Sequence, residues 1–170
     1  ESYRTLMTSI IFSSIDKPPQ VILVTSGTPN EGKTTTSSNL AVAMAGMGEK
    51  VLLIDADLRK SAIHKIFGLE NSTGFTNLIM ESGPLSDYVK KAEGISSLDI
   101  LTSGAHAPNP SELLSSTKVA EFLAEARKKY TRIIIDSPPV MAVSDPLVIS
   151  RHVDGVVLVA WGGVVTGDLL

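Results

Sequence analysis

Short runs of apolar, mostly β-branched residues alternate along this chain with longer stretches whose apolar positions recur at helical spacing. That alternation predicts an α/β fold, a mostly parallel sheet flanked by helices. Strands are expected at Val21–Thr25, Lys50–Ile54, Leu98–Leu101, Arg132–Ile135 and Gly155–Ala160, each short and apolar enough to be buried on both faces of one sheet. Lys33–Gly46, rich in Ala, Leu and Met and closed by Gly46 and Gly48, reads as a helix. A second helix begins near Ser116, with Val119, Phe122, Leu123 and Ala126 on its core stripe and Glu121, Glu125, Lys128 and Lys129 on its wet face. Before the first strand, Glu1–Ser14 carries a further stripe of Leu6, Ile10 and Ile11. Lys17, Pro18 and Pro19 cut it off, so residues 1–17 are expected to pack as a helical segment outside an α/β core of residues 18–170. Thr102–Ser111 is the longest stretch without periodicity, and loops of that length often serve function.

Composition narrows the picture. At 170 residues, 43% hydrophobic and 19% charged, the chain has the makeup of a single ordinary domain with its own core. Its longest nearly uncharged apolar stretch, Val156–Val165, is too short to span a bilayer. A formal charge of -3, with the basic residues scattered, gives no footprint for nucleic acid, which is not an expected partner. The absence of cysteine excludes disulfides and thiolate metal sites. With Glu1 first and no signal-peptide pattern, the chain is expected to be a piece of a longer protein.

The chemistry concentrates at the carboxyl ends of three expected strands. Gly27-Thr28-Pro29-Asn30-Glu31-Gly32-Lys33-Thr34 fits the phosphate-loop pattern GxxxxGKT and lies between a strand and a helix, as that pattern requires. Its glycines let backbone N–H groups turn toward phosphate oxygens, and the helix that follows points its positive end at them. Lys33 adds a mobile charge and Thr34 a hydroxyl for magnesium, so Gly27 to Thr35 is the expected nucleotide site. Asp55 and Asp57, two residues apart after the second strand, are expected to project to one side, where they share a metal or divide metal binding from proton transfer. Capping of a following short helix is the competing role for Asp57. Asp136, ahead of Pro138 and Pro139, is placed like the strand-end aspartate that holds magnesium in P-loop enzymes, or else shapes the turn.

Other polar residues carry less. His64, His106 and His152 show no ligand spacing, and Tyr3, Tyr88 and Tyr130 read as packing residues. Asp145 reads as a helix cap, through Ser144 or itself, in preference to a substrate contact. Arg59 and Lys60 are either solvated or in reach of phosphate or a neighbouring subunit.

Taken together, SGTPNEGKT, LLIDADLRK, IIIDSPPV and the spacers HKIFGLENSTGFTNLI and NPSELLSS resemble, in order and spacing, the catalytic domain of bacterial tyrosine autokinases. These kinases pair with, or are fused to, chain-length regulators of exopolysaccharide and capsule export. The resemblance covers nearly the whole chain and implies a P-loop NTPase fold that uses ATP/ADP with Mg2+. On it, Lys33 and Thr34 serve phosphate and magnesium, Asp55 and Asp136 organise the metal, and Asp57 is the candidate base for a tyrosine hydroxyl. Lys33, Asp55 and Asp57 are thus the expected catalytic residues, and Thr34, Asp55 and Asp136 the metal set. The resemblance further implies neighbouring subunits of a homo-oligomeric ring and a membrane chain-length regulator, fused or separate, as partners. The location it implies is the cytoplasmic face of the bacterial membrane.

The chain departs from the family at three places. Of the amino-terminal pattern Glu, two residues, Arg, two residues, Arg, it keeps Glu1 and Arg4 but has Met7, which bears on subunit contacts. Ser61 replaces a usual proline, and Trp161 a usual basic residue. The chain also ends at Leu170, before the further helix, sheet and tyrosine tail of related domains, so the family comparison reads it as incomplete at its carboxyl end. Two rival functions remain: a partition or division-site ATPase switch, whose phosphate loop has a lysine where Thr28 stands, and a regulator that binds ATP without turnover.

Overall fold

A computed structural model describes residues 2–14 and 16–162; Glu1, Ile15 and the carboxyl-terminal stretch 163–170 lie outside them. Five strands fall where the apolar runs place them, within a few residues: β1 (Val21–Ser26), β2 (Val51–Asp55), β4 (Ile95–Leu101), β5 (Arg132–Asp136) and β6 (Gly155–Val159). A sixth, β3 (Lys90–Ala92), was not expected, because three residues with two lysines make no apolar run. It pairs antiparallel with β4 across a turn at Gly94, whose φ of 74° favours glycine. Every other pairing is parallel, in the order β3-β4-β2-β5-β1-β6.

Strict alternation along the central strands builds two cores. Val21 and Leu23, Leu52 and Ile54, and Ile133 and Ile135 face one side, where they meet α4 (Phe75–Glu81) and α6 (Thr117–Lys129). Ile22 and Val24, Val51 and Leu53, and Ile134 face the other, against Leu40, Ala41 and Met44 of α2 (Lys33–Gly46). By the same alternation Asp55 and Asp136, at the ends of β2 and β5, fall on the α2 side. They are register partners in adjacent strands. The edge strand β6 departs from the expected two-sided burial: Val157 and Val159 pack on the α2 side, while Val156 and Leu158 are exposed.

The amino-terminal helix α1 (Ser2–Phe12) lies on α2 and is not external to the core. Leu6, Ile10 and Ile11 pack partly buried against the α2-side cluster, and the residue driven fully inside is Met7, 3% exposed. Met7, expected to bear on subunit contacts, is thus buried within the chain itself. An apolar side chain suits this packing, whereas an arginine would have to carry its charge out of the apolar cluster.

The remaining helices are short: α3 (Ile63–Ile66), α5 (Pro110–Leu114) and α7 (Asp145–Ser150). None extends far enough for helical periodicity to show in sequence. The stretch expected as a long loop is tied down where it starts. Phe75 N–H donates to Thr102 O at 2.7 Å and Thr76 N–H to Ser103 O at 2.9 Å. A Cβ on Gly74 would sit 2.1 Å from Thr102 O, so this close approach needs glycine. Tyr88 and Tyr130 are buried packing residues, each donating its hydroxyl to a carboxylate, Glu81 at 2.7 Å and Asp99 at 2.6 Å. No described helix is long and apolar enough to cross a membrane.

Candidate functional site

The buried strand β1 delivers the chain to the carboxyl edge of the sheet, where ligands of parallel α/β folds bind. There it turns through Gly27–Gly32 into α2. Asn30 and Gly32 take positive φ of 66° and 85°, which curls the backbone into a concave loop. No side chain caps α2, so the first N–H groups of the helix are left to a ligand. Pro29, Asn30, Gly32, Lys33, Thr34 and Thr35 line a cavity of about 540 Å³ at this point.

Three residues of the loop do not line that cavity. Gly27, Thr28 and Glu31 shape the loop instead: Glu31 folds back, accepts the Thr28 N–H at 2.8 Å and lies 3.5 Å from the Trp161 N–H. The Thr28 N–H holds the Glu31 carboxyl below its ordinary range. Ser26 Oγ donates to Thr28 O at 2.7 Å, and Met141 N–H to Gly27 O at 3.2 Å, so the loop is braced from both sides.

The three expected aspartates part company. Asp136 Oδ2 accepts the Thr34 hydroxyl at 2.7 Å, while its Oδ1 is buried without a partner. Asp55, its neighbour in register, spends both oxygens on backbone: Oδ2 accepts Ala62 N–H and Ile63 N–H at 3.1 Å, and Oδ1 the Asp57 N–H at 3.3 Å. Burial, reinforced by the adjacent Asp136, pushes Asp55 up to about 7. Burial likewise lifts Asp136, to about 6, against the Thr34 hydroxyl and the Lys33 charge. Asp57 lies beyond the end of β2, so the alternation expected to point it alongside Asp55 has stopped. Its Oδ2 faces Lys33 Nζ at 3.6 Å, and its Oδ1 accepts the Lys60 N–H at 3.0 Å in its own turn. Asp57 does not cap α3, whose first residue is preceded by Ala62.

This donor set fits a magnesium nucleotide. A partnerless buried carboxylate oxygen, an adjacent hydroxyl and an uncapped helix start converge at the foot of the cavity. Among the described residues no three His, Cys, Asp or Glu side chains gather to hold an ion. Phosphate oxygens and water would therefore complete the shell of a magnesium ion here, as that ion prefers. Thr34 and Asp136 are the residues placed to hold it.

The cavity has two further walls, which bring parts of the second and third motifs together with Ala62, Ala142 and Val143 beyond them. Pro138, Pro139, Ala142 and Val143, leading from β5 to α7, form an apolar one; Asp57, Arg59, Lys60 and Ala62 form the other. Arg59 crosses to Asp145, donating from Nε to Oδ2 at 3.0 Å and from Nη2 to Oδ1 at 3.4 Å. Ser111 joins them, its Oγ accepting from Arg59 Nη2 at 3.1 Å and donating to Asp145 Oδ1 at 2.5 Å. Asp145 is therefore not a cap: it makes no side-chain bond to the start of α7 and is buried against Arg59. The signal available in sequence was only a basic residue after DAD and an acid before a proline, with nothing to pair them. His106 is exposed, and neither His64 nor His152 lines the cavity.

Known proteins share this sequence pattern and fold. The AAA domain family matches residues 19–155. The tyrosine-protein kinase YwqD of Bacillus subtilis (strain 168) is 45% identical over 163 residues, which cover 96% of this chain and 68% of YwqD. The tyrosine-protein kinase etk of Escherichia coli (strain K12) is 37% identical over 98% of this chain, which spans only 23% of etk. The solved kinase domain of Escherichia coli ETK superposes with a TM-score of 0.92 at 36% identity, covering 98% of this chain and 65% of that one. The septum site-determining protein MinD of Pyrococcus horikoshii, solved with Mg-ADP, is a more distant match at TM-score 0.70 and 25% identity, covering 83% of this chain and 57% of that one. With its phosphate loop, strand-end acids and near full-length match to kinases of one kind, the chain belongs to the bacterial tyrosine-protein kinases, built on the P-loop AAA domain fold.

Proposed function

We propose that this kinase domain transfers the γ-phosphoryl of ATP to a tyrosine hydroxyl seated in the cavity between Lys33, Asp57 and the Pro138–Val143 wall. The observation that carries the proposal is the Lys33–Asp57 pair, 3.6 Å apart at the cavity and beside the uncapped start of α2. One side chain supplies positive charge for a phosphate, and the other is a carboxylate able to take a proton. Magnesium, held by Thr34 and Asp136, would supply positive charge to neutralise the phosphates. The helix start and Lys33 hold the phosphates, and as Lys33 moves to them Asp57 is released from its ion pair. The tyrosine oxygen attacks the γ-phosphorus, the bond to ADP breaks, and the phenolic proton passes to the Asp57 carboxylate. A phenol with a pKa near 10 needs such a base at neutral pH. Pro138, Pro139, Ala142 and Val143 offer the phenyl ring an apolar seat.

The wider setting is part of the same proposal. Neighbouring subunits of a homo-oligomeric ring supply the acceptor tyrosines, and a membrane chain-length regulator, fused or separate, holds the domain at the cytoplasmic face of the membrane. The output is control of exopolysaccharide or capsule polymerisation and export. The motif resemblance supports this, together with larger kinases of which the chain spans about a fifth, such as one from the cps region of Klebsiella pneumoniae (22%).

The test pairs phosphotyrosine detection with calorimetry of magnesium-ATP binding. Lys33→Met should abolish phosphotyrosine formation. Asp57→Asn should keep nucleotide affinity while phosphotyrosine formation drops about 10² to 10⁴-fold, the usual cost of losing a general base. If Asp57→Asn phosphorylates tyrosine at the wild-type rate, the base is elsewhere; if the wild-type protein turns over ATP but labels no tyrosine, the domain is an ATPase switch.

A further inference from the structure

Arg59 lines the cavity, and Asp145 lies buried outside its lining, at the far end of the segment that forms the apolar wall. Arg59 is two residues past Asp57 on the polar wall, and Asp145 is the first residue of α7, directly after the apolar wall ending at Val143. Two guanidinium nitrogens reach the two carboxylate oxygens, and Ser111, at the start of α5, bridges both partners. Asp145 is 0% exposed, and Arg59 is the cation within ion-pair distance of it among the described residues.

That burial decides what Arg59 can do. A carboxylate withdrawn from water is strongly disfavoured without its counter-charge, so Arg59 cannot leave Asp145 to follow a phosphate. Lys33 differs in its hold: it meets Asp57 through one contact of 3.6 Å, and Asp57, though only 4% exposed, keeps the Lys60 N–H as a second partner at 3.0 Å. Of the three cations that line the cavity, Lys33, Arg59 and Lys60, Lys33 is placed to move and Arg59 is held. A planar guanidinium laid on a carboxylate through two nitrogens also resists sliding, which a single contact would allow.

We infer that the Arg59–Asp145–Ser111 clasp sets the width of the acceptor cleft, with Arg59 and Asp145 acting as positioning residues for the incoming tyrosine. The inference rests on the kinase reading proposed above. The clasp ties the turn that carries Asp57 to the segment that carries Pro138 and Val143, so the distance between base and ring seat is fixed by a contact outside both. The nucleotide end of the site is held separately, by the loop braces at Thr28 and Gly27 and by the Asp136–Thr34 bond. Opening the clasp should therefore loosen the seat of the acceptor and spare the seat of ATP.

The experiment uses the purified kinase with ATP and a short, uncharged tyrosine peptide as acceptor. Asp145→Asn keeps the shape of the side chain and its contact with Ser111 while removing the charge that holds Arg59. It should raise KM for the peptide about tenfold, the scale of coupling between contacting residues, and leave KM for ATP and peptide-independent ATP hydrolysis within about twofold. Arg59→Met should raise the peptide KM similarly, and the Arg59→Met/Asp145→Asn double variant should be no worse than the single ones, since the contact can be lost only once. The double variant also removes the lone buried charge that threatens folding of Arg59→Met. A peptide KM at the wild-type value in Asp145→Asn and in the double variant, with only kcat or melting temperature lowered, would mean a purely structural ion pair and overturn the proposal. Additive effects in the double variant would overturn it too. Wild-type protein that hydrolyses ATP but never labels the peptide would instead remove the kinase reading beneath it, an outcome distinct from wild-type labelling with unchanged variants.

Discussion

The ends of β2 and β5 make a controlled pair: two adjacent parallel strands, each finishing on a fully buried aspartate, the two in register with each other. Burial raises both carboxyls. What separates them is the chain that follows. After Asp55 the backbone turns back within reach, so the N–H groups of Asp57, Ala62 and Ile63 converge on the carboxylate. After Asp136 the chain runs through Ser137, Pro138 and Pro139; the prolines have no N–H to give, and Ser137 N–H goes to Val24 O at 3.1 Å. One oxygen of Asp136 is left over, beside Thr34. We propose that the acid satisfied by its own loop acts as a structural pin and the acid with a free buried oxygen as a metal ligand.

The largest expected effect breaks the ligand side. Asp136→Asn should lower phosphotransfer about 10² to 10³-fold, the scale for removing one group that organises transition-state charge, and weaken the magnesium dependence of ATP binding measured by calorimetry. Folding should hold, because the change also relieves a buried like charge next to Asp55. The opposite profile is expected at the pin. Asp55→Ala leaves buried backbone N–H groups unpaired and should cost about 1–3 kcal/mol in chemical denaturation. A folded Asp55→Ala protein that loses magnesium-ATP binding as completely as Asp136→Asn would show that the two acids act as one metal site and collapse the comparison.

The smallest effect comes from a carboxylate at the other end of the sheet, which sharpens the comparison from a site without chemistry. Asp154, just before β6, accepts Gln20 N–H and Val21 N–H at 3.0 and 2.8 Å and pairs with Arg127 at 2.7 Å. Arg127, foremost, draws its carboxyl down to about 2 from 3.8. Because the folded value lies below the unfolded one, the stabilisation is present above pH 3.8 and is lost as pH falls through about 2. Asp154→Asn should flatten this acid limb of a stability-against-pH curve and leave phosphotransfer at neutral pH unchanged. The pair is partly solvated, so the shift in midpoint should be modest.

Much of the site was legible because it is local. Gly27 to Thr34 is contiguous, and loop, helix start and lysine follow from neighbours in sequence. Strand-end aspartates are likewise visible as acids that close apolar runs. The roles of those aspartates were not legible, since they depend on which N–H groups fold back onto each. Nor was the partner of Asp145, because Arg59 and Ser111 lie 86 and 34 residues away. The depth of Met7 was not legible for a related reason: a helical stripe gives the direction of burial, but which residue goes deepest is set by the helix it meets, here α2.

The one-dimensional pattern by itself determined the α/β class, the strands β1, β2, β4, β5 and β6, the helices α2 and α6, and the phosphate loop. Each is a short-range periodicity or a contiguous motif, and the forces that make it act between residues close along the chain. Tertiary structure alone decided that β3 forms an antiparallel edge, that α1 buries Met7, that Lys33 rests on Asp57, and that Asp55 is bonded by its own loop while one oxygen of Asp136 is left without a partner. These depend on desolvation and hydrogen bonding between groups far apart in sequence, whose partners exist only once the sheet has brought them together.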